Sequence, residues 1–220
     1  MATADRVPGP GWWPTKGTPA REEYLGPDAC GQCHRAKVNS ARKTPMAHAS
    51  MAAADSETLR SHDRLEAQIG PYHYEIVRMP AGSVYSVSDA VKSISVPLAW
   101  AFGLGEVGQT YVYQQDGKWY ESRLSYYTNI QGLDFSPGHQ HTIPSSLGSA
   151  LGRLFEIGEP RLCFGCHTTA STTGNQFDSS HLIPGVTCEA CHGPGAQHVA
   201  KMSMGVENQK KQSIFNPANL

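Results

Sequence analysis

All six cysteines fall in three copies of one five-residue frame: Cys30-Gly31-Gln32-Cys33-His34, Cys163-Phe164-Gly165-Cys166-His167 and Cys188-Glu189-Ala190-Cys191-His192. From the chain's own cysteine and histidine frequencies, chance would supply roughly 0.007 such frames in a sequence of this length. In this frame the two thiols can each add to one vinyl group of a haem, while the adjoining imidazole reaches the iron as proximal ligand. Structural zinc sites and thioredoxin-like dithiols also use Cys-x-x-Cys. Zinc ribbons need the motif in pairs, and three copies leave one site incomplete; a redox dithiol has no use for histidine at the next position every time. The frames therefore predict three covalently attached haem c groups on Cys30, Cys33, Cys163, Cys166, Cys188 and Cys191, with His34, His167 and His192 on the irons.

These frames must be positioned by the segments around them. Residues 1–28 contain five prolines with Trp12 and Trp13, which reads as an extended arm. Residues 29–69 carry the first motif, and from it to about Arg64 the pattern turns helical, with Ala-rich stretches broken at Pro45. Residues 70–144 change character: Tyr72 to Arg78, Ser83 to Val87, Gln109 to Tyr113 and Lys118 to Leu124 alternate β-branched or aromatic residues with polar ones, separated by Pro80-Ala81-Gly82 and Asp116-Gly117. They predict a small antiparallel β-module inserted between the first motif and the second. Within it Gly103-Leu104-Gly105-Glu106-Val107-Gly108 matches a dinucleotide fingerprint, but it leads into a strand where the fingerprint needs a helix, so a turn is expected. From 145 to 220 a short helix with Leu147, Leu151, Leu154 and Phe155 leads to the second motif, and the third follows closely enough to keep two haems near one another. The expected fold class is α+β: a mainly α and irregular multihaem cytochrome c with that small β-module.

Composition narrows the class. Net charge is -1 and the sequence pI about 6.8, which lacks the basic footprint of a nucleic-acid binder. No apolar run reaches the 18 residues of a bilayer span, so no transmembrane segment is expected. Covalent haem attachment takes place outside the cytoplasm in bacteria, which predicts a periplasmic or extracellular protein, although the opening Met1-Ala2-Thr3-Ala4-Asp5 is not a signal peptide. The closing Asn216-Pro217-Ala218-Asn219-Leu220 has no terminal element, and the sequence is read as a part of a larger multihaem chain or assembly.

With the motifs placed, the chain resembles the multihaem cytochromes of the cytochrome c-554 family. The resemblance rests on Tyr24-Leu25-Gly26 running into the first motif, Thr44-Pro45-Met46-Ala47-His48-Ala49 after it, and Gly185-Val186-Thr187 with Gly193-Pro194-Gly195 around the third, followed by His198. It implies that His198 is the distal ligand of the first haem, opposite His34. It further implies that a residue about twelve past His34 caps the haem of His192; by count this is Met46, with His48 two residues on as the alternative. A thioether there raises the iron's potential relative to a second imidazole. In that family the second haem can lack a distal protein ligand; here His139, His141 and His181 are candidates, with His62 and His73 less well placed. His139, after the turn Ser136-Pro137-Gly138, is the first choice.

An iron held by two protein ligands exchanges electrons without binding a substrate. Mostly six-coordinate haems therefore predict an electron-transfer protein serving redox partner proteins rather than a catalyst. The alternative is a reductase that acts on a small molecule at a five-coordinate second haem, and a third reading makes the β-module a docking element in an assembly.

Overall fold

The computed structural model describes residues 21–173, 176–204 and 214. The tryptophan pair of the expected arm lies outside them. The chain divides into two compact units, one of the residues up to Ala49 with those from Gly158 onward, the other of Ser50–Ile157.

The first unit opens with a 3-10 turn at Arg21–Glu23 and helix α1 (Pro27–Ala41), followed by a second 3-10 turn at Pro45–His48. The second unit is built on ten strands: β1 (Ser50–Ala52), β2 (Arg64–Ile69), β3 (Tyr72–Met79), β4 (Gly82–Ser88), β5 (Ser93–Phe102), β6 (Gly108–Gln115), β7 (Lys118–Ser122), β8 (Leu124–Tyr127), β9 (Gly132–Phe135) and β10 (Gly152–Leu154). Two short helices, α2 (Glu57–Ser61) and α3 (Leu147–Leu151), accompany them. The first unit resumes with α4 (Glu159–His167), α5 (Cys188–His192) and α6 (Ala196–Ser203), and with two short antiparallel pairs, Thr168–Thr169 on Ile183–Pro184 and Thr172–Thr173 on Gln176–Phe177.

The expectation of a mainly α protein with a small β-module is overturned. The described residues are 36% strand and 31% helix, dominated by one curled antiparallel sheet of ten strands. Its main path runs β10-β7-β6-β5-β4-β3-β2; β1 joins β5, while β8 pairs with β6 and β9, and β9 packs back towards β2. The Ala-rich stretch after Pro45 is the instructive miss. Ser50–Ala52 pairs with Phe102, Ala101 and Trp100 instead of forming a helix, because a few helix-prone residues cannot repay nucleation while a sheet edge offers hydrogen bonds at once. Arg64–Ile69 alternates polar and apolar residues and pairs along its whole length with β3. Leu154, read as helical, lies in β10 opposite Tyr120.

The alternation within the sheet sets its inner face. Tyr74, Ile76, Tyr85, Val87, Tyr111 and Tyr113 are all almost wholly buried, and ring pairs run Tyr74–Tyr85 (6.5 Å), Tyr85–Tyr113 (6.5 Å) and Tyr113–Tyr120 (5.2 Å). Such pairs contribute about 0.5–1.5 kcal/mol each beyond area burial. Asp116 and Gly117 both have positive φ, 52° and 71°, which gives the backbone twist a two-residue hairpin needs between β6 and β7. The fingerprint-like glycines form the turn between β5 and β6: a Cβ on Gly103 would lie 2.8 Å from the Gly108 carbonyl oxygen.

One close approach gives a stability test. A Cβ on Gly152 would lie 2.1 Å from the Glu121 carbonyl oxygen, whereas one on Gly148 in α3 meets nothing within 4 Å. Gly152→Ala is expected to destabilise the protein by about 1–3 kcal/mol, and Gly148→Ala to stabilise it by roughly 0.5–1 kcal/mol, as read by denaturant unfolding.

Candidate functional site

Each Cys-x-x-Cys-His frame sits on a helix, so its two cysteines, three residues apart, share a face. Cys30, Cys33 and His34 lie on α1, which Pro27 opens; the helix is interrupted at His34 (φ −110°, ψ 38°). Cys163, Cys166 and His167 form the end of α4, and Thr168 closes it by donating its hydroxyl to the Phe164 carbonyl at 2.6 Å. Cys188, Cys191 and His192 are the whole span of α5, which Gly193 ends in a positive-φ conformation. No disulfide joins any of the six cysteines.

The geometry brings the first proximal histidine to the one beyond the third motif. The rings of His34 and His198 lie 20° from parallel, with centroids 6.4 Å apart. Two metal–imidazole bonds of about 2 Å, in line with two ring radii of about 1 Å, require axial rings roughly 6 Å apart. His198 Nδ1 is buried with no hydrogen-bond partner. Burial, then the neighbouring His34, holds the His198 imidazole below the usual histidine range, which favours the neutral form a metal needs. Spacing, near-parallel rings and an orphaned nitrogen fit an iron between these side chains.

A residue that the motif reading passed over assembles this pair. Glu189, between the third motif's cysteines, is 1% exposed. Its Oε1 accepts hydrogen bonds from the backbone N–H of Leu25 at 2.9 Å and of Gly195 at 2.8 Å, and its Oε2 accepts from Gly26 N–H at 2.7 Å. Gly26 immediately precedes α1 and Gly195 immediately precedes α6. The phenol of Tyr24 beside it is pushed up to about 12, by burial first and by this carboxylate second. α1 packs on α5. The thiols of Cys30 and Cys188 perturb each other, which pushes the Cys30 thiol up and holds the Cys188 thiol down at about 6. The only signal in the sequence was an acidic residue between two cysteines, a position usually left to any side chain.

The stretch from Thr44 to Ala49 serves the other two motifs. Pro45 opens its 3-10 turn, and the Thr44 side chain accepts from Ala47 N–H. Val186 N–H donates to the Met46 carbonyl at 2.9 Å, two residues before Cys188. His167 Nδ1 lies 3.1 Å from the Ala49 carbonyl and donates to it, the arrangement that orients metal-ligating histidines. Met46 is 55% exposed, whereas His48 donates Nε2 to the Arg42 carbonyl at 2.8 Å. The second and third motifs are tied together by Thr169, whose Oγ1 accepts Thr187 N–H at 2.9 Å.

The remaining candidates are elsewhere. His139 is buried in the sheet unit, its Nε2 3.2 Å from Glu121 Oε2, a carboxylate that also takes Arg153. In the same unit His141 stacks on Phe135 at 4.4 Å, His62 Nδ1 meets the Thr58 carbonyl at 2.7 Å, and His73 lies near Glu66. His181 belongs to the motif-bearing unit, where its carbonyl accepts from Arg21.

Comparison with known proteins supports the haem reading. The family model described as cytochrome c554 and c-prime matches residues 145–193, a stretch that contains the second and third motifs. Among solved structures, the outer cell wall cytochrome OcwA matches with a TM-score of 0.50 and 18% identity over 88% of this chain and 35% of that one. This chain thus spans about a third of that protein. No curated protein sequence matches significantly. The chain resembles multihaem c-type cytochromes of the cytochrome c-554 type, and the family match supports covalently bound haem c and electron transfer. Among the described residues no helix is long and apolar enough to cross a membrane.

Gly185 is the hinge of this arrangement: its φ is 71° and a Cβ would lie 2.0 Å from the Ala47 carbonyl oxygen. Gly185→Ala is expected to push Pro45–His48 off the third motif and to lower the unfolding temperature by several degrees, as read by calorimetry.

Proposed function

We propose that the chain is a trihaem electron-transfer module whose haems form a closely spaced row. When bound, haem c supplies one-electron exchange between ferric and ferrous iron. The protein's part is to supply axial ligands, exclude water and hold the groups near one another. The observation that carries the reading is the parallel pair His34 and His198, spaced for an iron between them. On the third haem His192 is joined by Met46, because His48 spends its Nε2 on the Arg42 carbonyl. The packing of α1 on α5 supports the first and third haems as neighbours, and the Thr169–Thr187 tie supports the second and third. Its partners are redox proteins, and it works in the periplasm or outside the cell as part of a longer multihaem chain.

A second reading, reduction of a small molecule at the second haem, is favoured by one observation. His139, the first choice as its distal ligand, is held by Glu121 inside the sheet unit. Carbon monoxide separates the readings: six-coordinate haems leave the spectrum of the reduced protein unchanged, and a five-coordinate second haem shifts it.

The exported protein is expected to retain three haems per chain through acid-acetone extraction, since thioether bonds do not release them. A mass equal to the bare polypeptide would overturn the proposal. His198→Ala is expected to turn one haem from low-spin to high-spin. Met46→Ala, but not His48→Ala, is expected to remove the weak far-red sulfur-to-iron band of the oxidised protein.

A further inference from the structure

The two helices that carry the facing histidines do not meet through a hydrophobic seam. α6 has no buried residue, and Val38 is the only buried residue of α1. Among the described residues one side chain hydrogen-bonds at both of their beginnings. The Glu189 carboxylate takes the backbone N–H groups of Leu25 and Gly26, which lead into α1, and of Gly195, which leads into α6. Cys30 and His34 follow four and eight residues after Gly26, and His198 three residues after Gly195.

The chemistry of this contact is specific. All three partners are donors, which selects the acceptor-only, ionised form of the side chain. Two helix N-termini, each with a partial positive charge, converge on a buried negative charge, and charge-assisted bonds to amides offset its desolvation. A glutamine in the same place has one acceptor oxygen. If that oxygen keeps Leu25 and Gly195, its NH2 group confronts the Gly26 N–H, donor against donor. An alanine leaves all three amides buried and unpartnered.

We propose that Glu189 is the positioning residue of the His34–His198 centre and that its fixed negative charge holds that centre's reduction potential down. The inference rests on the reading that these two histidines share one iron. By joining the starts of α1 and α6, the carboxylate sets the gap between the imidazoles. As a buried anion it favours the more positively charged ferric state over the ferrous one.

Potentiometric titration, absorption spectra and thermal unfolding of the holoprotein test it. In Glu189→Gln one haem is expected to titrate at a higher potential than in the wild type while all haems stay low-spin. In Glu189→Ala that same haem is expected to show the high-spin signature of His198→Ala, with a lower unfolding temperature. Glu189→Asp keeps the charge on a stem one methylene shorter and cannot span all three amides; it is expected to lower the unfolding temperature with a smaller change of potential than Gln. Unchanged potentials in Glu189→Gln overturn the electrostatic role, and an Ala or Asp variant as stable as the wild type overturns the positioning role. If the Gln variant is lost during maturation, the Asp variant decides: a potential raised as far as in His198→Ala overturns the charge argument. His198→Ala separates this failure from that of the underlying reading. If that variant keeps every haem low-spin, the ligand pairing itself is wrong, whatever Glu189 does.

Discussion

The described residues of the motif-bearing unit bury almost no hydrocarbon with which to hold it together. Among its described residues only Tyr24, Val38 and Phe164 are buried apolar side chains, whereas the sheet unit buries a continuous cluster running from Ala53 to Leu151. A unit this short of apolar surface cannot offset the conformational entropy of its helices by burial alone. Its order must come from polar ties and from cofactors. The Glu189 carboxylate, the Thr169–Thr187 bonds and the Val186 to Met46 bond are such ties, and each ends within a few residues of a Cys-x-x-Cys-His frame. Haem c, which the family match supports, is a large flat apolar body, and bound covalently in this unit it would add to that small core.

The two units divide this labour along lines the sequence shows unevenly. Cys-x-x-Cys-His declares its chemistry in five residues because thiol and imidazole must be delivered at fixed offsets. Asp116-Gly117 declares a hairpin because few other pairs tolerate two positive φ angles. The alternation of Tyr72 to Met79 was equally legible. Ser50–Ala52 and Gly152–Leu154 were not, since strands of three residues have too few positions to display a period, and their pairing is set by the edges of β5 and β7.

The site was legible in the same uneven way. The facing of His34 and His198 followed from a resemblance; nothing in the residues between them specifies it. Glu189 went unseen because the position between two motif cysteines carries no spacing rule, and its three partners are backbone amides, which have no sequence signature. The engagement of His139 with Glu121 was hidden for a related reason: the carboxylate that the imidazole meets comes from β7, a strand of the sheet remote from it in sequence.

The sheet unit is continuous in the chain, while the motif-bearing unit is split around it. During synthesis and export the two therefore cannot mature together. Leu25 meets Glu189 across a separation of 164 residues. At about 5–20 residues per second, the first motif waits on the order of ten to thirty seconds for the segment that completes it. Over that interval Cys30, Cys33 and His34 are present without the segment around Glu189 that packs on them. The sheet unit can close on contacts from one continuous stretch of chain, whereas the helix that carries His34 and the helix that carries His198 come from opposite sides of it in the sequence.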